Sequence, residues 1–258
     1  MANTIAVDDD APADIAPPEP DSGEDEDIYE QTGKVRSMTP VMVMLVPATA
    51  GFIAFQGYNV AAGVWLLLAG NDYNRLRISD AEMAQAFQLV EAYRIPPSLT
   101  GLIALATVIA FLWFNVRAVS NIRAFSHRHV PASQLSVVLW QFVPVLNLVK
   151  PYSLMMMYWS RTHETAAKPA DGPALGLWWW FAWVAAILFA SLSRLVDQID
   201  AGRALEGPVT GIPLRALGLA TTSSACFVIS ALAMLAITSG IARAQNGIRK
   251  AMVAQSVF

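Results

Sequence analysis

Residues Gln134–Arg161 read QLSVVLWQFVPVLNLVKPYSLMMMYWSR. The stretch is apolar enough to enter a bilayer, yet two prolines, an asparagine and a lysine interrupt it near its middle. Pro144 and Pro151 each remove a backbone donor and crowd the preceding helical turn, which predicts a break and not one straight helix. Lys150 at a helix centre in lipid would cost roughly 2.5–3.5 kcal/mol on insertion scales. A segment both membrane-seeking and broken lies in the interface, or dips in and returns with protein covering its freed backbone groups. Leu135, Val138, Leu139 and Phe142 share one helical face of its first half. Pro151 suits the first turn of a second short helix, whose Met155, Met156, Met157, Tyr158 and Trp159 make a soft apolar surface.

The chain around this stretch is built for lipid. Of its 258 residues 55% are hydrophobic and 14% charged, against about 25% charged in soluble domains. The charge is divided by region. Residues 1–30 hold eleven carboxylates and no Lys or Arg, and the remainder holds 17 basic and nine acidic residues. Residues 1–37, rich in Asp, Glu, Pro and Ala, cannot bury enough apolar surface to offset ordering and read as a disordered acidic cytoplasmic tail. The tail lacks the basic start and apolar core of a signal peptide, and it can act as an electrostatic shield over basic loops. Cys226 is the only cysteine, so neither an intrachain disulfide nor a cysteine-based metal site can form.

Four spans follow, at about 40–69, 98–119, 174–196 and 214–241, in a membrane domain of residues 38–246 with a short cytoplasmic tail at 247–258. Pro47 is the expected kink of the first span. Ala50, Ala54, Gly57 and Ala61, at three- or four-residue spacing, offer it a close-packing face, as Gly218, Ala220, Thr222 and Ser224 do for the fourth. Between the first two spans, Ser79 and Glu82 fit a capping box, Ile78 can staple onto Met83, and Met83, Phe87 and Val90 mark a surface amphipathic helix. Trp178, Trp179, Trp180 and Trp183 open the third span as an interfacial belt, and Arg194 and Asp197 can pair at its far end. The architecture expected is all-α: a polytopic membrane protein with four transmembrane helices and a Pro-broken interfacial or re-entrant segment between the second and third.

Charge fixes the orientation. With the N-terminus inside and four spans, eleven Lys and Arg lie on the cytoplasmic side and six outside. A fifth crossing at Gln134–Arg161 would leave eight on each side and erase the positive-inside bias.

The segment resembles a bacterial membrane family catalogued as domain of unknown function 4328. The likeness is carried by Trp113, Asn121, Phe142-Val143-Pro144, Asn147-Leu148, Pro151-Tyr152, Met155 and Trp159, with Trp178, Trp179 and Ala244-Gln245, over about residues 40–246. Met157 stands where the family tends to carry an acid, and Arg161 one place later than the usual arginine. The resemblance implies four spans and a bacterial inner membrane, and the division of charge puts both termini on the cytoplasmic side. It implies no chemistry. Asn121, Pro144, Asn147, Pro151, Tyr152, Trp159 and Arg161 are the candidate functional residues.

Catalysis needs a converging nucleophile or acid–base set, and only His127, His129, His163 and Glu164 are at hand on the inner side, with no P-loop, dinucleotide fingerprint, HExxH or GxSxG. No catalytic, cofactor or metal residue is assigned. His127 and His129 read as an exposed basic loop. The reading is a non-enzymatic module that binds membrane lipids, or a protein partner at its cytoplasmic face, and no nucleic acid. The alternatives are a small transporter or channel subunit using the broken segment as its site, and behind it a membrane enzyme.

Overall fold

The computed structural model describes residues 34–75, 77–92, 95–126, 130, 133–168, 174–204 and 214–255. Along the chain come α1 (Thr39–Asn74), α2 (Asp80–Ala92), α3 (Pro97–Phe125), α4 (Gln134–Leu139), α5 (Pro144–Thr165), α6 (Ala174–Ala204) and α7 (Leu214–Gln255), with no strand among the described residues. Four of these, α1, α3, α6 and α7, are long and apolar enough to cross a membrane. The first 33 residues, the loop histidines His127 and His129, and the segment 205–213 lie outside the described residues.

Helix α7 is the axis of the fold. It packs against α1, α3, α5 and α6, and 44% of its most apolar window is buried in protein, against 17–22% for the other three spans. With 42 residues it is about 63 Å long, roughly twice the 30 Å hydrocarbon core. It therefore continues to Gln255, through most of the stretch that the sequence sets apart as a tail.

Helices α6 and α7 are joined by a ladder of serine hydroxyls. Ser193 Oγ donates to the Ala216 carbonyl at 2.9 Å, Ser223 Oγ to Ala186 at 2.8 Å, and Ser230 Oγ to Trp179 at 3.2 Å. The rungs step by seven residues along each helix in opposite directions, so one seam keeps facing its partner as the two helices wind antiparallel. In lipid, apolar side chains gain little by leaving the bilayer for another helix, and such hydrogen bonds help fix the register. The packing positions expected on α7 are displaced: Ala220 and Thr222 are exposed, while Thr221 and Ser223 are buried.

Helix α1 shows the same displacement. Ala50, Ala54, Gly57 and Ala61 all face outward, and the buried line is Val41, Leu45, Thr49, Gln56, Gly63, Leu66 and Gly70. The reason is steric. At Gly63 the α1 backbone lies so near α7 that an added Cβ would collide with Thr221 Oγ1, whereas one at Gly57 meets nothing within 4 Å. Small residues elsewhere on α1 are free to meet lipid. The helix continues through Pro47.

At the α2 end, the capping box forms. The Ser79 N–H and hydroxyl donate to Glu82 Oε2 at 2.7 and 2.9 Å, and Ser79 Oγ accepts from the Glu82 N–H at 3.4 Å. The Ser79 backbone bond, then its hydroxyl, hold the Glu82 carboxyl below its ordinary pKa. The cap therefore contributes above the usual glutamate range and is lost as pH falls through the lowered value. Ile78 joins Met83, Ala86 and Leu66 in a small cluster. Phe87, expected on the packed face, is half exposed, while Tyr58 Oη donates to the Val90 carbonyl at 2.7 Å. Arg194 and Asp197 form no ion pair with each other, whereas Arg77 pairs with Asp72 at 3.6 Å and Arg161 with Glu164 at 4.0 Å.

The broken segment breaks in one place only. Helix α4 ends at Leu139, a turn covers residues 140–143, and α5 then runs unbroken for 22 residues from Pro144, with Pro151 inside it. The second short helix expected to begin at Pro151 is thus corrected. Pro144 takes the first helical position, where a missing N–H is harmless and the ring's fixed φ suits the helix. Pro151, inside α5, removes the hydrogen bond to the Asn147 carbonyl and crowds that turn, yet the helix continues through it. The expected apolar stripe of α4 points out of the protein, with Leu135 68% and Phe142 65% exposed, while Val137 is fully buried.

The contact at Gly63 gives a test. Gly63→Ala forces Thr221 aside in a packed seam and should cost about 1–3 kcal/mol, read as a lower thermal unfolding midpoint in detergent. Adding Thr221→Ala should restore most of the loss. Gly57→Ala should leave the midpoint unchanged, and an equal loss there would contradict the assigned α1 face.

Candidate functional site

Two sites emerge from the packing: a buried amide relay at the end of the bundle where α1 begins, and a cavity further along it. The relay starts in the short segment before α1. Asn121 Oδ1 accepts from the Arg36 N–H at 2.8 Å, and Asn121 Nδ2 donates to the Arg36 carbonyl at 2.9 Å and to Gln245 Oε1 at 2.9 Å. Gln245 Nε2 donates in turn to Thr162 Oγ1 at 3.3 Å. Asn121, Gln245 and Thr162 are fully buried. Four parts of the chain, namely residues 34–38, α3, α5 and α7, thus meet through one amide network. Beside it the Asn246 Oδ1 accepts from the Met38 N–H at 2.9 Å, satisfying the N-cap N–H of α1 as an N3 side chain does in a capping box. Residues 34–37, assigned by the sequence to the disordered tail, are therefore pinned, with Val35 buried.

The other candidate residues all lie on α5, and two of them line the cavity. The indole of Trp159 lies between Gly240, where a Cβ would come within 2.7 Å of the ring, and the His163 imidazole, stacked on it at 3.9 Å. His163 Nδ1 meets the Trp159 carbonyl at 2.8 Å. Because a carbonyl only accepts, that nitrogen carries the hydrogen. Arg161 sits 4.0 Å from Glu164, one helical turn on, and is not opposed by an acid at Met157. Tyr152 packs on Trp180 with ring centroids 6.1 Å apart. Pro151 and Asn147 line the cavity, and the Asn147 side chain makes no hydrogen bond among the described residues. Pro144 begins α5. Lys150 Nζ lies over the Trp140 ring at 5.0 Å, a cation–π contact that partly offsets its separation from water.

The cavity holds about 390 Å³ and is partly enclosed. It occupies the gap between α3 and α6, whose backbones do not approach each other. Phe111 and Trp179 meet across that gap, ring centroids 6.4 Å apart. Gln141 and Phe142, from the turn between α4 and α5, share its wall with Phe52 of α1 and Phe227 of α7. Trp179, Trp180 and Trp183 also line it, so three tryptophans expected in an interfacial belt face an internal space, and Trp178 alone of the four is strongly exposed. Among the described residues no group of three His, Cys, Asp or Glu is placed to hold a metal.

Asn121 is the one candidate residue in the relay itself, and Asn147 and Pro151 in the cavity wall. Thr162 and Gln141 were not singled out from the sequence; their hydroxyl and amide in amphipathic surroundings are the only signal for them. A multi-pass, all-helical membrane protein is the class this architecture defines. Residues 74–243 match the family described as Domain of unknown function (DUF4328), and the chain belongs to it. Helix α1 stands outside the matched region but for Asn74. No curated protein and no solved structure matches the chain.

The relay predicts a coupled pair of losses. Asn121→Leu strands the Gln245 oxygen in a dry site and should cost about 1–3 kcal/mol, measured by thermal or denaturant unfolding in detergent. Adding Gln245→Leu removes the stranded group, so the double variant should lose clearly less than the two single losses added. Strict additivity would show that the two amides do not act together.

Proposed function

We propose that this protein is a non-enzymatic module of a bacterial inner membrane that binds anionic lipid headgroups at its cytoplasmic end. One observation carries the reading. The end of the bundle tied together by the amide relay carries Lys34, Arg36, Arg117, Arg123, Arg161, Lys168, Arg243, Arg249 and Lys250, against Glu164 alone among the described carboxylates. The opposite end carries Asp72, Asp80, Glu82, Glu91, Asp197 and Asp200 together with Arg75, Arg77, Arg194 and Arg215, so acids outnumber bases there among the described residues. Such a division is the positive-inside arrangement, and each basic side chain near an anionic leaflet is worth about 1 kcal/mol. The last ten residues of α7 after Gln245 extend about 15 Å beyond the relay, which places Arg249 and Lys250 at headgroup level when the relay lies at the edge of the hydrocarbon.

In the same reading α4 and α5 form a re-entrant hairpin. At one end of α5 Thr162 meets Gln245. About 27 Å of helix away the turn before Pro144 shares a cavity with Phe227 and Ser230 of α7. In this reading the segment descends along α3 and returns beside α7 to the side from which it came.

Lipid binding is tested by thermal stabilisation of the purified protein in micelles doped with phosphatidylglycerol or phosphatidylcholine. The anionic lipid should raise the midpoint more. The difference should vanish in Arg123→Gln/Lys168→Gln/Arg243→Gln/Lys250→Gln, and also at 1 M salt, where the Debye length is about 3 Å. Equal stabilisation by both lipids at low salt would refute the assignment.

Topology has its own test, in a Cys226→Ser background. Cysteines at Ser126 and Thr165 should resist an impermeant thiol reagent in intact cells, while one at Asp80 reacts. Reaction at Thr165 with protection at Ser126 would establish a fifth crossing and exclude the hairpin.

A further inference from the structure

We propose that the cavity between α3 and α6 is a binding site for an uncharged lipid bearing carbonyl oxygens. Its volume, about 390 Å³, lies within the usual 300–1,000 Å³ range of small-molecule sites. The wall is chiefly apolar and rich in aromatic rings, and among the described residues no Lys, Arg, His, Asp or Glu lines it. A charged headgroup entering it would lose hydration and find no counter-charge, a cost that excludes anionic and cationic ligands.

The polar groups of the wall specify the rest. Its two hydroxyls are already committed. Thr107 Oγ1 lies 2.8 Å from the Ile103 carbonyl and 3.1 Å from that of Ala48, and Ser230 Oγ donates to Trp179. What remains is carboxamide and indole N–H, and an indole can only donate. Gln141 Nε2 is buried with no hydrogen-bond partner. Gln56, itself buried, accepts through its oxygen from Asn59 at 3.4 Å and keeps its N–H groups unused among the described residues. Asn147 adds a third amide. These three converge from α1, the α4–α5 turn and α5 onto one apolar space. A buried donor without an acceptor is costly in a dry site, and N–H groups surrounded by aromatic rings call for carbonyl oxygens on an otherwise apolar molecule. Two membrane-soluble sources present that chemistry: the ester of a neutral glyceride, and the ring oxygens of a quinone, whose flat face would also stack on the indoles.

The site is distinct from the basic end, so the two assignments fail separately. The test is native mass spectrometry of the full-length protein in detergent, titrated with monooleoylglycerol, decylubiquinone, oleate and dioleoylphosphatidylcholine. At least one neutral carbonyl probe should bind one-to-one, roughly tenfold or more tighter than oleate or the phospholipid, and the preferred probe identifies the source. Gln141→Leu should weaken that binding roughly three- to tenfold, the loss of one hydrogen bond, and Ala104→Phe, which fills the cavity from α3, should abolish it. Should either variant fail to keep the wild-type melting midpoint, the other variant and the discrimination by the wild-type protein decide. Oleate binding as tightly as both neutral probes, or folded variants binding like the wild type, would overturn the proposal.

Discussion

The fold depends on satisfying buried amides where water is scarce. Asn121 is the centre of this constraint. Its side chain pairs with both backbone groups of Arg36, much as a neighbouring strand would, and spends its remaining hydrogen on Gln245. A carboxamide has two donors on nitrogen, and both of Asn121's are used. The geometry leaves little freedom. The entry to α1, the exit of α3, the last turns of α5 and the projecting part of α7 are set by one set of bonds, and breaking any of them strands a polar group away from water.

The same constraint explains how helices pack where apolar contact alone gives little preference. Leu, Val and Phe are nearly as well placed against lipid as against another helix, so large side chains such as Val43, Leu68, Leu102 and Leu188 stay exposed to the bilayer without penalty. Helices are selected for contact by steric and polar matching: Gly63 against Thr221, Gly240 against Trp159, and the serine rungs between α6 and α7.

The turn between α4 and α5 belongs to this logic too. It brings backbone irregularity to the wall of the cavity, where Gln141 and Asn147 stand beside aromatic rings, which is tolerable where protein and not lipid surrounds them. Helix α5 packs on both α3 and α6, and between those two lies a space lined by aromatic rings and the carboxamides of Gln56, Gln141 and Asn147. The basic end and this space use different chemistry. One attracts charge at the surface, the other excludes it.

How much was legible in the sequence follows from which forces act locally. Hydropathy alone determined the four spans, since each needs only a long apolar run, and the α2 capping box and its staple depend on residues three to five positions apart. Division of charge between the two ends was readable for the same reason. Faces were not. Ala50, Ala54, Gly57 and Ala61 present a small-residue stripe as plausible as the true one, and only the approach of α7 to Gly63 decides between them. Asn121 and Trp159 stood out in the sequence, but Asn121's partners Arg36 and Gln245 lie 85 and 124 residues away, and no local pattern encodes such a pairing. Pro144 and Pro151 looked alike as breakers. Tertiary structure separated them, because a proline at the first helical position loses nothing, while one further in is carried by a helix that packing already holds.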